Sequence, residues 1–178
     1  MHHTKSLRIE PLQEHHAAAM LPVLQDERIY AYIPEARYDN VEALSARYRR
    51  LANGSDNPTE RWLNWVLFVG DTDVPIGFLQ STVYSLERLA DVAYVLSPVH
   101  WRRGFAIEAL CWLMENLEAA HAVDVVRAQI DVRNTASIAL VRRLGFEYVG
   151  AVMEVGSEDA IYQRSVKDIE FGAVVVSR

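Results

Sequence analysis

The sequence predicts one α/β domain in which short strands alternate with amphipathic helices, and three observations carry that prediction. Runs such as Val92, Tyr94 and Leu96 alternate with the period of a strand, whereas Ala106 to His121 repeats with the period of a helix. At 178 residues the chain suits a single domain with a proper core, and no internal repeat or low-complexity linker divides it. Hydrophobic residues make up 51% and charged residues 24%, the balance of a globular chain rather than a disordered one.

Each element follows in order. Leu7 to Leu12 reads as the first strand. His15 to Gln25 reads as a helix interrupted near Pro22, because proline removes a helix hydrogen bond. Asp26 to Asn40, with Tyr30, Tyr32, Pro34 and Tyr38, reads as a partly irregular connection. Val41 to Ala52 is a second helix, with Asn40 as its cap and Asn53-Gly54 as its stop. Trp62 to Val69 and Pro75 to Tyr84 read as a hairpin across Gly70-Asp71-Thr72-Asp73. Leu89 to Leu96 is the next strand, followed by a helix from about Gly104 to His121. Val123 to Val132 reads as a strand, Thr135 to Leu144 as a helix, and Phe146 to Glu154 with Ala160 to Lys167 as a closing strand pair.

Composition excludes several classes of function. The first twenty residues lack an apolar signal core, and no run of about eighteen apolar residues occurs, so neither secretion nor membrane spanning is expected. A single cysteine, Cys111, rules out an intrachain disulfide and fits a reducing, cytoplasmic compartment. The net charge of −6 argues against a nucleic-acid binder, which needs a basic stripe to neutralise phosphates. His2-His3 and His15-His16 are adjacent pairs whose side chains diverge on a helix, so no metal site is expected; His121 at a helix end reads as solvated or compensating the dipole. No nucleophile elbow, Walker lysine or dinucleotide-binding glycine pattern occurs.

The segment Leu96-Ser97-Pro98-Val99-His100-Trp101-Arg102-Arg103-Gly104-Phe105-Ala106 stands out because it joins a strand to a helix through a glycine flanked by arginines. Unpaired N–H groups and the positive end of the dipole make a helix start a cradle for phosphate. Gly104 removes the Cβ from the approach, and Arg102 and Arg103 add charge suited to a polyphosphate. On spacing alone, an ordinary helix start with two solvated arginines reads equally well.

The pattern Leu96-x-Pro98-x-x-Trp101-Arg102-Arg103-Gly104-Phe105-Ala106-x-Glu108-Ala109 resembles the acyl-CoA-binding motif of GNAT-superfamily N-acetyltransferases, Gln/Arg-x-x-Gly-x-Gly/Ala. Trp101 replaces the usual Gln or Arg, a substitution similar to that of the RimJ/RimL-like branch, which modifies ribosomal-protein N-termini. A second block, Asn134-Thr135-Ala136-Ser137 followed by Leu144-Gly145-Phe146, resembles the Asn-x-x-Ser…Leu-Gly-Phe of the same superfamily, in the family order.

The resemblance implies the GNAT fold: a central mixed, mostly antiparallel twisted sheet flanked by helices, whose fourth and fifth strands splay to admit the pantetheine arm. It implies direct transfer of an acetyl group from acetyl-CoA to an amine in a ternary complex, with no metal. The pyrophosphate is expected on the turn from Trp101 through Arg102, Arg103, Gly104, Phe105 and Ala106, with Arg103 contacting phosphate. The pantetheine is expected beside Tyr94, Val95 and Leu96, where a backbone N–H polarises the thioester carbonyl. Asn134 either reaches the pantetheine or diphosphate, or simply caps its helix through Ser137.

Proton transfer is where the family pattern weakens. The tyrosine usual seven residues after the motif Asn is here Val141, which cannot donate a proton. Ser137, water, or a tyrosine from elsewhere such as Tyr162 are the alternatives. Asp91 stands where relatives carry Glu and is either the base, a binder of the ammonium, or a solvated strand residue. Glu108 matches a family glutamate that orients the loop, and Cys111 falls on the core-facing side of its helix rather than at a nucleophile's place. Tyr32, Tyr38 and Glu35, with the turn Gly156-Ser157-Glu158-Asp159, are expected to frame the acceptor mouth. A protein N-terminus, a polyamine and a small amine all suit it, and monomer and homodimer are both compatible. The missing tyrosine admits one other class, a catalytically silent acyl-CoA-binding module.

Overall fold

Among the described residues the chain lays down eight strands: β1 (His2–His3), β2 (Leu7–Pro11), β3 (Glu60–Val69), β4 (Pro75–Tyr84), β5 (Leu89–Leu96), β6 (Val125–Asp131), β7 (Glu147–Glu154) and β8 (Ser157–Ser165). In this computed structural model they form one open sheet of order β1-β2-β3-β4-β5-β6-β8-β7, antiparallel at every pairing except β5 with β6. The α-helices α1 (Ala17–Leu24), α2 (Val41–Asn53), α3 (Phe105–His121) and α4 (Thr135–Arg143) flank it. The structure describes residues 1–34, 36–154 and 157–167, so the expected roles of Glu35 and Gly156 lie outside the described residues. No helix among the described residues is long and apolar enough to cross a membrane.

The central strands are apolar on both sides because both faces of the sheet are covered. Along β3, Trp65 and Leu67 join the core under α3, while Val66 and Phe68 join a second core under α1 and α2. Helix α3 supplies Phe105, Ala109, Leu110, Leu113, Met114 and Leu117 to the first core, an i, i+4, i+5 stripe that keeps one face buried. Helices α1 and α2 supply Met20, Leu24, Leu44 and Tyr48 to the second.

Two caps behave as their residue types dictate. The Asn40 side chain accepts from the Ala43 N–H at 2.8 Å, and the Asn134 side chain accepts from the Ser137 N–H at 3.1 Å. Pro22 does not interrupt α1, which runs on to Leu24. The proline deprives Ala18 of its helical partner, and Ala18 is exposed, so water can satisfy that carbonyl. β8 begins at Ser157 rather than Ala160, because Glu158 and Asp159 pair with Met153 and Val152 of β7; the expected loop at 157–159 is strand. β1 escaped sequence reading because two residues carry no period.

The parallel pairing matters most for function. Leu89, Ala90 and Asp91 pair with Val125, Val126 and Arg127, and beyond that point β5 and β6 part. These are the fourth and fifth strands counted from Leu7, so the expected splay is present. On the other flank, Gly77 lets β4 press against β5: a Cβ there would lie 2.0 Å from the Val95 carbonyl oxygen.

Candidate active site

At the splay a cavity of about 1070 Å³ runs between the two halves of the sheet, from the turn before α3 to the tyrosines between α1 and α2. Its first wall is backbone. Arg102 and Gly104 adopt left-handed φ values of 58° and 86°, and alternation of such residues with ordinary ones is the backbone pattern that suits anions. The first bond of α3 runs from the Glu108 N–H to the Gly104 carbonyl at 3.1 Å, leaving the N–H groups of the preceding turn without helical partners. Nothing lies within 4 Å of where a Gly104 Cβ would sit. That open space at a helix start fits a pyrophosphate.

The second wall is a strand edge. The Ser97 N–H donates to the Ile76 carbonyl at 2.7 Å, so by alternation the backbone groups of Leu96 and Tyr94 point away from β4, toward the gap. The Trp101 indole N–H folds back and donates to the Leu96 carbonyl at 2.7 Å. Tyr94 retains an open edge to which an extended amide-bearing arm can add.

The third element is a pair of hydroxyls. Tyr94 shares a face with Val92 and Leu96, and its hydroxyl lies 3.0 Å from the Ser137 Oγ on the first turn of α4. Both residues line the cavity. Burial pushes the Tyr94 phenol above its ordinary value, against a smaller opposite pull from the Ser137 hydrogen bond, so it stays protonated. Its side-chain role was missed in the sequence, although its register with Val92 and Leu96 was the available signal.

Of the expected cofactor residues, Tyr94, Val95, Leu96, Trp101, Arg102, Gly104, Ala106, Asn134 and Ser137 line the cavity. Arg103 and Phe105 do not. Phe105 is buried in the core, and the Arg103 guanidinium lies 5.0 Å over its ring, so Arg102 is the arginine of this turn that faces the cavity. Asn134 lines the cavity and acts as the helix cap.

Asp91 requires correction as a base. The Arg127 guanidinium holds both of its oxygens, Nε to Oδ1 at 2.5 Å and Nη2 to Oδ2 at 2.8 Å. Tyr84 donates to it as well, at 3.0 Å. It is absent from the cavity lining and occupies the last paired position before the strands part. Tyr162 is also removed as an acid: it is 2% exposed, packed against Tyr148 and the Arg142 guanidinium, and away from the cavity. Val141, at the family tyrosine position, is buried. The Glu108 carboxylate accepts from the Thr4 hydroxyl and the Ser6 N–H at 2.5 and 2.6 Å, tying the N-terminal segment to α3. Burial pushes the half-buried Cys111 thiol up, which leaves it inert. Burial and the neighbouring Arg61 hold His121 below its ordinary value, so it does not serve as a charged partner for the helix end.

The far half of the cavity is built from side chains. Tyr30, Tyr32, Ile33 and Tyr38 from the connection meet Arg47 and Leu51 of α2 over Phe78, Gln80, Ala93 and Val95 of the sheet. Tyr32 and Tyr38 line the cavity, as do Arg47, Gln80 and Gln129, whose spacing in the sequence marks no site.

Comparison with known proteins agrees with this geometry. Residues 6–147 match the model of the acetyltransferase (GNAT) domain. The chain is 22% identical over 152 residues to the uncharacterized N-acetyltransferase YoaA of Bacillus subtilis (strain 168), covering 85% of each. Its fold is similar to that of spermidine N-acetyltransferase from Vibrio cholerae in complex with CoA and spermine, with a TM-score of 0.78 at 16% identity, over 92% of this chain and 98% of that one. It is similar also to a GNAT-family acetyltransferase from Bacillus anthracis, with a TM-score of 0.79 at 16% identity, over 93% and 98% of the two chains. With four-fifths of its length under one family model and that family's fold around its cavity, the chain belongs to the acetyltransferase (GNAT) domain family.

Proposed function

We propose that the protein transfers the acetyl group of acetyl-CoA to a primary amine by direct attack, both substrates being held in the one cavity. The observation that carries this reading is the meeting, in a single cavity, of the anion-suited turn, the open edge of Tyr94 and the Tyr94–Ser137 hydroxyl pair. The turn from Arg102 to Ala106 would hold the pyrophosphate on backbone N–H groups, with Arg102 adding charge. The β5 edge would hold the pantetheine, and Asn134 flanks it. Acetyl-CoA brings the activated thioester; the protein brings position and protons.

As the amine attacks, a C–N bond forms and the C–S bond breaks. The ammonium first loses one proton so that the neutral amine can attack, and the nitrogen loses a second as the amide forms; with Asp91 committed to Arg127, both pass to solvent. One proton reaches the departing sulfur from the Tyr94–Ser137 pair, which takes the place of the family tyrosine lost at Val141. A chain of two hydroxyls can pass a proton and recover it from water. The likeness of the Trp101 block to RimJ/RimL-like enzymes supports a protein N-terminus or a compact amine as acceptor, in a reducing cytoplasm. CoA release from acetyl-CoA with a panel of peptides and small amines tests this. Turnover supports transfer, whereas tight CoA binding with no turnover on any amine identifies a silent binding module instead.

A further inference from the structure

A branch of the cavity runs between α3 and α4. Along α4, Ala136, Leu140 and Arg143 line it at i, i+4 and i+7, so one face of that helix borders the space. Ala106, Ile107 and Leu110 line it from α3. The two helices follow the parallel strands β5 and β6, so both begin at the same end of the sheet. The branch therefore starts beside the turn before α3 and continues toward the last turn of α4. Ala136, Ala139 and Arg143 are exposed while lining it, so it opens to solvent.

Among the described residues, Arg28, Arg47, Arg102 and Arg143 line the cavity. Arg28 is held by Asp26 at 2.6 Å, and Arg47 stands 5.9 Å from the Tyr38 ring, both in the far half. Arg102 belongs to the turn, where it and the backbone N–H groups suit a pyrophosphate. Arg143 is the cation that this division leaves over. Arg142 and Arg143 both end α4, where positive charge complements the helix dipole, yet the two diverge. The Arg142 guanidinium lies 5.5 Å over the Tyr162 ring, outside the cavity lining. Arg143 lines the cavity and has no hydrogen-bond or ion-pair partner among the described residues. Its backbone stands about 13 Å along the axis from Asn134, and helix side chains lean toward the N-terminus, which brings its head back toward the turn.

CoA carries a second anionic group beyond its pyrophosphate, a phosphomonoester on the ribose a few bonds away, with a charge of roughly −1.5 to −2 at neutral pH. With the pantetheine on the β5 edge and the pyrophosphate on the turn, the nucleotide end has this solvent-open branch to occupy. We propose that Arg143 holds the ribose phosphomonoester of CoA between α3 and α4, so that the protein selects CoA over dephospho-CoA. This rests on the acetyl-transfer reading in taking CoA as the cofactor, and adds the residue that recognises its far end.

Calorimetry with CoA and with dephospho-CoA, which lacks that phosphate, tests this on the wild type, Arg143→Gln and Arg142→Gln. The wild type is expected to bind CoA about tenfold more tightly, the scale of one charge-assisted contact. Arg143→Gln should lose that preference, its CoA affinity falling about tenfold while its dephospho-CoA affinity holds. Arg142→Gln removes the same charge one residue away and should keep the preference. A melting curve shows that each variant is folded, and Arg143→Ala takes the place of Arg143→Gln if that one is not. Equal affinity of the wild type for the two nucleotides overturns the proposal, as does a preference that survives Arg143→Gln or vanishes in Arg142→Gln. Binding of neither nucleotide would overturn CoA as the cofactor, and the acetyl-transfer reading with it.

Discussion

The two halves of the cavity are made of different material. The half beside the turn before α3, which we assign to the cofactor, is backbone: a left-handed turn, a helix start and an open strand edge. The half we assign to the acceptor is side chains gathered from the connection between α1 and α2, from α2 itself and from one face of the sheet. Backbone recognition needs particular residues at fixed local spacing, because only some residues permit the geometry. Side-chain recognition needs only that distant residues meet. The first is written locally in the sequence and the second is not.

That contrast can be broken most sharply at Gly104. A valine there meets a left-handed backbone it cannot easily adopt and fills the open space over the turn. CoA affinity is expected to fall about a hundredfold, since two charge-assisted contacts at roughly 1.5 kcal/mol each are lost. KM for the amine should hold in the folded variant. Calorimetry with CoA and a melting curve measure both, and unchanged CoA affinity would place the phosphates elsewhere.

Tyr94 and Ser137 stand where the halves meet, and they sharpen the contrast by coupling it. Tyr94→Phe is expected to lower kcat about tenfold, Ser137→Ala by less, and the double variant by no more than Tyr94→Phe alone, because the two hydroxyls act as one unit. Losses that multiply in the double variant would show independent roles. The pH dependence follows from burial. The phenol pKa lies above the ordinary value, so the donor stays protonated as pH rises, and kcat/KM should show a rising limb from the amine with no fall below about pH 10. A falling limb near pH 8 or 9 that vanishes in Tyr94→Phe would contradict that assignment.

Asp91→Asn separates structure from chemistry. Its pair with Arg127 is about one-third exposed on each side, so stability should fall by roughly 0.5–1 kcal/mol, read as a small drop in Tm. The acidic limb of kcat/KM should keep its position, whereas a shift of that limb would restore Asp91 as the base. Smallest of all, Cys111→Ala should soften the core slightly and leave turnover intact; loss of activity in a folded variant would revive a thiol mechanism.

The same contrast explains what was legible beforehand. The strand, turn and helix around Gly104 and the Asn40 and Asn134 caps follow from local pattern, and the splay after Asp91 from the family resemblance of the motifs beside it. Tyr32 and Tyr38 line the cavity, and their clustering in an irregular connection was the visible sign of them. Asp91 misled because strand position says nothing of its neighbours. Arg127 lies 36 residues away and reaches it only through the parallel pairing of β5 with β6. Tyr94 with Ser137, 43 residues apart, is the same lesson with the opposite sign.

The narrowness of that parallel pairing also has a mechanical consequence. Three residue pairs, with the Arg88–Asp124 ion pair at one end and the Asp91–Arg127 ion pair at the other, form the seam joining β1–β5 to β6–β8, and the latter pair sits where the strands part. A crack stops where its tip is pinned, and Arg127 with Asp91 is such a pin. Beyond it the Tyr94–Ser137 hydroxyl contact, rather than backbone pairing, links the two lips. A ligand laid along the open edge would stitch the lips together. Slowed amide exchange in Val92–Leu96 and Ala128–Asp131, with little change inside either lobe, would be the signature of a sheet completed by its own substrate.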